Sequence, residues 1–76
     1  MPTSINEILQ NGVNFVKEYN GFYYIWPIHK DRYDDTMWVV NKKTGEIQYK
    51  DYTSYLTEGI DEKAKEIDPT ELKERV

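Results

Sequence analysis

The chain has 76 residues, ten Lys and Arg against fourteen Asp and Glu, a formal net charge of −4 and no cysteine. Splitting it would leave neither half enough interior, so residues 1–76 are expected to form a single domain. A disulfide framework and a thiolate metal site are excluded for want of thiols, a two-imidazole site by the lone His29, and an acidic chain is a poor match for nucleic acid, where phosphate contacts dominate affinity.

From the N-terminus, Ser4-Ile5-Asn6-Glu7 fits a capping box, in which Ser4 accepts from the Glu7 amide and the Glu7 carboxylate reaches back. Ile5, Ile8, Leu9, Val13 and Val16 recur at helical spacing and predict a helix over 4–18, with Asn20-Gly21 as its stop. Asn11-Gly12 is the weak point of that run: a glycine inside a helix costs about 1 kcal/mol relative to alanine, and an early end would fall there. The segment lacks a basic n-region and a long apolar run, so neither a signal peptide nor a membrane span is expected, and the expected location is cytoplasmic.

Residues 22–28 are rich in aromatic and β-branched types and predict a first strand, with Pro27 placing it at a sheet edge. Residues 29–35 read as a polar connection. Residues 37–41 and 46–50 predict the second and third strands. Asn41-Lys42-Lys43-Thr44-Gly45-Glu46 suits a four-residue hairpin loop, Asn41 bonding the turn amides and Gly45 taking positive φ. That closure puts Val40 opposite Ile47, Val39 opposite Gln48 and Trp38 opposite Tyr49.

Because successive strand side chains alternate between faces, Trp38, Val40, Ile47 and Tyr49 share one face and Met37, Val39, Gln48 and Lys50 the other. Phe22, Tyr24, Trp26 and Ile28 are the heavier set on the first strand and are expected to join Trp38 and Val40 in the core. Tyr23 and Ile25 would then lie beside Met37 and Val39. Beyond Lys50, Tyr52, Tyr55, Leu56, Ile60, Ala64 and Ile67 follow helical spacing with a break at Gly59, and Asp68-Pro69-Thr70-Glu71 caps a short last helix over 69–75. The expected fold class is therefore α+β, in the order α-β-β-β-α-α. Its sheet is a three-stranded antiparallel meander with the second strand in the middle.

Several chemistries can be weighed on the same residues. His29, Asp31, Asp34 and Asp35 could hold a divalent ion, but their spacing departs from a calcium loop and Lys30 and Arg32 supply internal counter-charges, which favours a solvated turn. Ser4 and Ser54 are explained as helix-start residues, and a paired-carboxylate hydrolase needs a cleft that so short a chain does not easily build. No catalytic residue, metal, cofactor or small-molecule ligand is therefore expected. Lys42, Lys43 and Lys50 gather at the hairpin and read as solubilising charges, while the mixed-sign run 61–66 reads as a solvated helix face.

Seven tyrosines and two tryptophans serve either a small core or an interface. With a thin supply of aliphatic side chains and neither metal nor disulfide to help, a partner subunit is the remaining source of added stability. Tyr23, Ile25, Met37 and Val39 are the expected partner-binding residues, because the face assigned to them has no cover in the sequence. The function expected is a non-enzymatic interaction module binding itself, as a homodimer, or a protein partner. The alternatives are a small regulator or inhibitor occupying a host protein, a nucleic-acid-binding sheet domain, and a metal-dependent enzyme. Lys, Ile, Asn, Tyr and Phe make up 29 residues, a bias in keeping with an AT-rich bacterial or phage genome.

Overall fold

A computed structural model of the chain describes residues 3–28 and 34–75. The elements are α1 (Ile5–Gln10), β1 (Val13–Tyr19), β2 (Phe22–Pro27), β3 (Thr36–Asn41), β4 (Ile47–Asp51), α2 (Tyr52–Thr57), α3 (Ile60–Lys63), β5 (Lys65–Ile67) and α4 (Pro69–Arg75). All strands pair antiparallel in one sheet of order β4-β3-β2-β1-β5. The α+β class stands, but among the described residues there are five strands and four helices where three strands and three helices were expected.

The first difference lies at Gly12. Its φ of +96° is a left-handed conformation that ends α1, and the chain re-emerges as β1, whose VNFVKEY sequence is β-branched and aromatic enough to be a strand. Asn20 and Gly21 both carry positive φ (53° and 85°), so this pair is the tight turn of a β1–β2 hairpin with Tyr19 opposite Phe22, and not the stop of a long helix. The helical spacing of Val13 and Val16 has a strand explanation. The pairing shifts between Val13, opposite Pro27, and Phe15, opposite Trp26, so Asn14 is an extra, bulged residue. The bulge brings positions three apart onto the same face, which imitates a helical period.

The second difference is β5. The helix expected from Tyr52 to Ile67 is interrupted at Gly59, as foreseen, and ends at Ala64, whose backbone is extended. Lys65–Ile67 then lies along β1, with Val16 opposite Ile67, closing the edge that β1 would otherwise leave open. With β1 and β3 on either side, β2 is interior, so Pro27 marks a strand end rather than a sheet edge.

Other expectations hold. The Ser4 hydroxyl accepts from the Glu7 amide at 3.3 Å, and the Glu7 carboxylate reaches back to the amide of Thr3 at 2.9 Å. Asn41 Oδ1 accepts from the Lys43 and Thr44 amides, Gly45 has φ +77°, and Val40–Ile47, Val39–Gln48 and Trp38–Tyr49 are the observed pairs. Asp68 Oδ1 accepts from the Thr70 amide at the start of α4.

Both faces of the sheet are packed. On one, Ile8 and Leu9 of α1 and Leu72 of α4 cover Val16, Tyr23, Ile25, Val40 and Ile67. On the other, Tyr55 of α2 and Ile60 of α3 cover Tyr24, Met37 and Val39, with Phe15, Phe22, Trp26 and Tyr52 around them. The rings of Trp26 and Tyr52 stand 4.5 Å apart, those of Tyr52 and Tyr55 5.7 Å, and those of Tyr55 and Tyr24 5.8 Å.

This arrangement corrects the assignment of β2. Ile25 pairs with Trp38, Tyr24 with Val39 and Tyr23 with Val40, so Phe22, Tyr24 and Trp26 share the Met37–Val39 face while Tyr23 and Ile25 share the Trp38–Val40 face. A register change of one residue moves every side chain of a strand to the opposite face. Ile28, expected in the core, is 57% exposed.

Candidate interaction surface

The four expected partner-binding residues do not meet on one face. Tyr23 and Ile25 lie beneath α1 and α4, Met37 and Val39 beneath α2 and α3, and all four are buried. Lys42 also sits 5.5 Å from the Tyr23 ring centroid, and the Tyr23 hydroxyl raises the Arg75 guanidinium above its ordinary value. The cover that the sequence left unnamed is thus supplied within the chain.

Of the polar connection, residues 29–33 lie outside the described residues, so the candidate ion site there is not described. Asp34 Oδ1 accepts from the Thr36 amide, and the Asp35 carbonyl accepts from the Tyr52 amide at 2.8 Å, ties that start β3 and position α2. Among the described residues, no group of three or more His, Asp or Glu side chains is placed to hold a metal ion, and no helix is long and apolar enough to cross a membrane.

One polar cluster joins three elements on the α2–α3 face. The Tyr55 hydroxyl donates to Asp61 Oδ1 at 2.6 Å, and Lys17 Nζ donates to the Asp61 carbonyl at 3.3 Å and pairs with its carboxylate at 3.4 Å. The Tyr55 hydroxyl and the Lys17 ammonium hold the Asp61 carboxyl below the usual carboxylate range. Burial, then the bond to Asp61, pushes the Tyr55 phenol above its ordinary value. Every member is engaged by another, so the cluster fastens α2 and α3 to β1. It presents no unoccupied base or nucleophile, and no sequence motif marked it, since Lys17 and Asp61 are brought together only by the fold.

Among the described residues, the aromatic side chain left in water is Tyr49, 68% exposed on β4. It stands directly across from Trp38, and Ile47 lies two residues away on the same face; both neighbours are half-buried at the margin of the α1–α4 core. β4 is also a sheet edge. The Asn41 amide bonds the Glu46 carbonyl and the Tyr52 amide bonds the Asp35 carbonyl. By the alternation of an antiparallel ladder, Gln48 and Lys50 then direct their backbone groups to β3, while Ile47 and Tyr49 direct theirs outward, as Asp51 does its amide, the Asp51 carbonyl belonging to the N-cap of α2. Side-chain and main-chain binding capacity therefore coincide at Ile47 and Tyr49. Sequence reasoning reached Tyr49 by its register but placed it inside the core, because a pairing fixes a residue's face and not how far the cover extends. No protein-family model, curated protein or solved structure matches the chain.

Proposed function

We propose that the chain is a non-enzymatic interaction module that engages a protein surface, its own or another's, through the β4 margin of the sheet. The observation that carries this reading is the coincidence at Ile47 and Tyr49 of β4 of an exposed tyrosine and an open strand edge, beside the half-buried Trp38 of β3. Tyrosine and tryptophan are enriched where proteins meet because their rings bury large areas while their polar ends tolerate water. An exposed strand edge adds main-chain hydrogen bonds to an arriving strand.

The test is Tyr49→Glu. Because Tyr49 is mostly in water, the variant keeps the wild-type circular dichroism spectrum and unfolds within a few degrees of it, while its affinity for a copurifying protein or for a second copy falls about tenfold or more. Unchanged binding in the variant, or a wild-type chain that remains monomeric and retains no protein, overturns the reading.

A further inference from the structure

We infer that the β4 edge pairs with the β4 edge of a second copy, antiparallel and centred on Gln48, joining two five-stranded sheets into one. This rests on the interaction reading above and names its partner.

The outward backbone groups restrict the possible registers. They belong to Ile47, Tyr49 and Asp51, so a two-fold antiparallel pairing must set these residues against one another, with its centre on Ile47, Gln48, Tyr49 or Lys50. Centring on Ile47 brings Glu46 against Gln48. Centring on Tyr49 sets Ile47 against Asp51 and Gln48 against Lys50, leaving an aliphatic side chain facing a carboxylate. Centring on Lys50 opposes two like charges, which is destabilising.

Centring on Gln48 sets Glu46 against Lys50 twice and Ile47 against Tyr49 twice, with Gln48 facing its own counterpart. In this register alone, opposite charges and apolar side chains both match. The ion pairs fall on the α2–α3 face, where Lys50 already pairs with Glu58. The Ile47–Tyr49 contacts fall on the other face and extend the strip begun by Trp38. Ile47 and Tyr49 exchange main-chain hydrogen bonds across the two-fold. Lys50 and the short span of β4 keep the edge from further, indiscriminate pairing.

The register is read by cross-linking. Gln48 would face Gln48 at a non-hydrogen-bonded position, where Cα atoms lie about 4.5 Å apart, a separation a disulfide spans. The natural chain has no thiol, so Gln48→Cys introduces the sole one. Under mild oxidation Gln48→Cys is expected to form a covalent dimer at least about tenfold faster than Thr53→Cys, an exposed site off the pairing. A charge exchange gives an independent readout by light scattering up to about 1 mM: Glu46→Lys and Lys50→Glu each weaken the dimer, and the double variant restores it. Circular dichroism confirms that each variant is folded.

A dimer that survives both single charge changes, or that cross-links equally at both cysteines, overturns the pairing. A chain that stays monomeric to that concentration while Tyr49→Glu still abolishes capture of a different protein overturns the self-pairing and leaves the interaction reading standing. A monomer in which Tyr49 governs nothing overturns both.

Discussion

Met37 and Tyr49 sit on neighbouring strands and carry opposite structural weight. Met37 is fully buried beneath α2 and α3, whereas Tyr49 is largely in water. Truncating a buried side chain loses its transfer free energy and leaves a cavity, so Met37→Ala is expected to cost about 2–5 kcal/mol, while Tyr49→Ala stays within about 0.5 kcal/mol of wild type. Urea unfolding of the two variants measures this directly, and equal losses would contradict the assignment of cover. The sequence showed which residues share a face on β3 and β4, since the Asn41–Glu46 loop fixes their pairing. It did not show the parity of β2, whose aromatic residues run nearly without interruption and so carry no alternation to read.

At the scale of elements, the instructive position is Gly12. Within a helix, Gly12→Ala would stabilise the chain by about 1 kcal/mol. In the structure Gly12 has φ +96°, and a Cβ built there would lie 3.2 Å from Ile28 Cδ1, so the same change is expected to destabilise by about 1–3 kcal/mol. The sign of the shift in unfolding midpoint distinguishes a turn from a helix interior. Both hairpins have local signals, but only one was legible. Asn41-Lys42-Lys43-Thr44-Gly45 has strands of clear pattern on either side. Asn20-Gly21 is preceded by a strand whose bulge at Asn14 disguises its period as helical. Gly59 and Asp68 were legible as punctuation, yet β5 was not, because three residues carry too little periodicity and owe their conformation to the open edge of β1.

For the molecule as a whole, a thin supply of aliphatic side chains is divided between two cores, one on each sheet face, with aromatic rings filling much of the second. The Cα radius of gyration is 11.5 Å, against about 11.4 Å for a compact domain of this length, so one chain reaches full compaction. Charge contributes through pairs at the surface. Lys42 holds the Glu18 carboxyl below its ordinary value, the Thr3 amide does so for Glu7, and the Tyr55 hydroxyl does so for Asp61. A carboxyl whose pKa is lower folded than unfolded binds fewer protons in the native state; its contribution is present above the unfolded value, near 4, and is lost as pH falls below it. Tyr24 and Tyr55 are shifted upward, chiefly by burial, so they oppose ionisation and their contribution is lost as pH rises beyond about 10. Melting temperature is thus expected to be flat between about pH 5 and 9 and to fall on both sides. A fall on the alkaline side that persists unchanged in Tyr55→Phe would remove Tyr55 from that account.

The strand order separates local pairings from one that closes over a distance. Strands β1 to β4 are successive neighbours joined by local connections, whereas β5 must return from beyond α3 to lie against β1. Along the chain, all four strands of the meander precede Lys65–Ile67. Without Lys65–Ile67 the sheet would have two unguarded edges, β1 and β4; β5 acts as a latch on the first and leaves the second as the margin of the molecule.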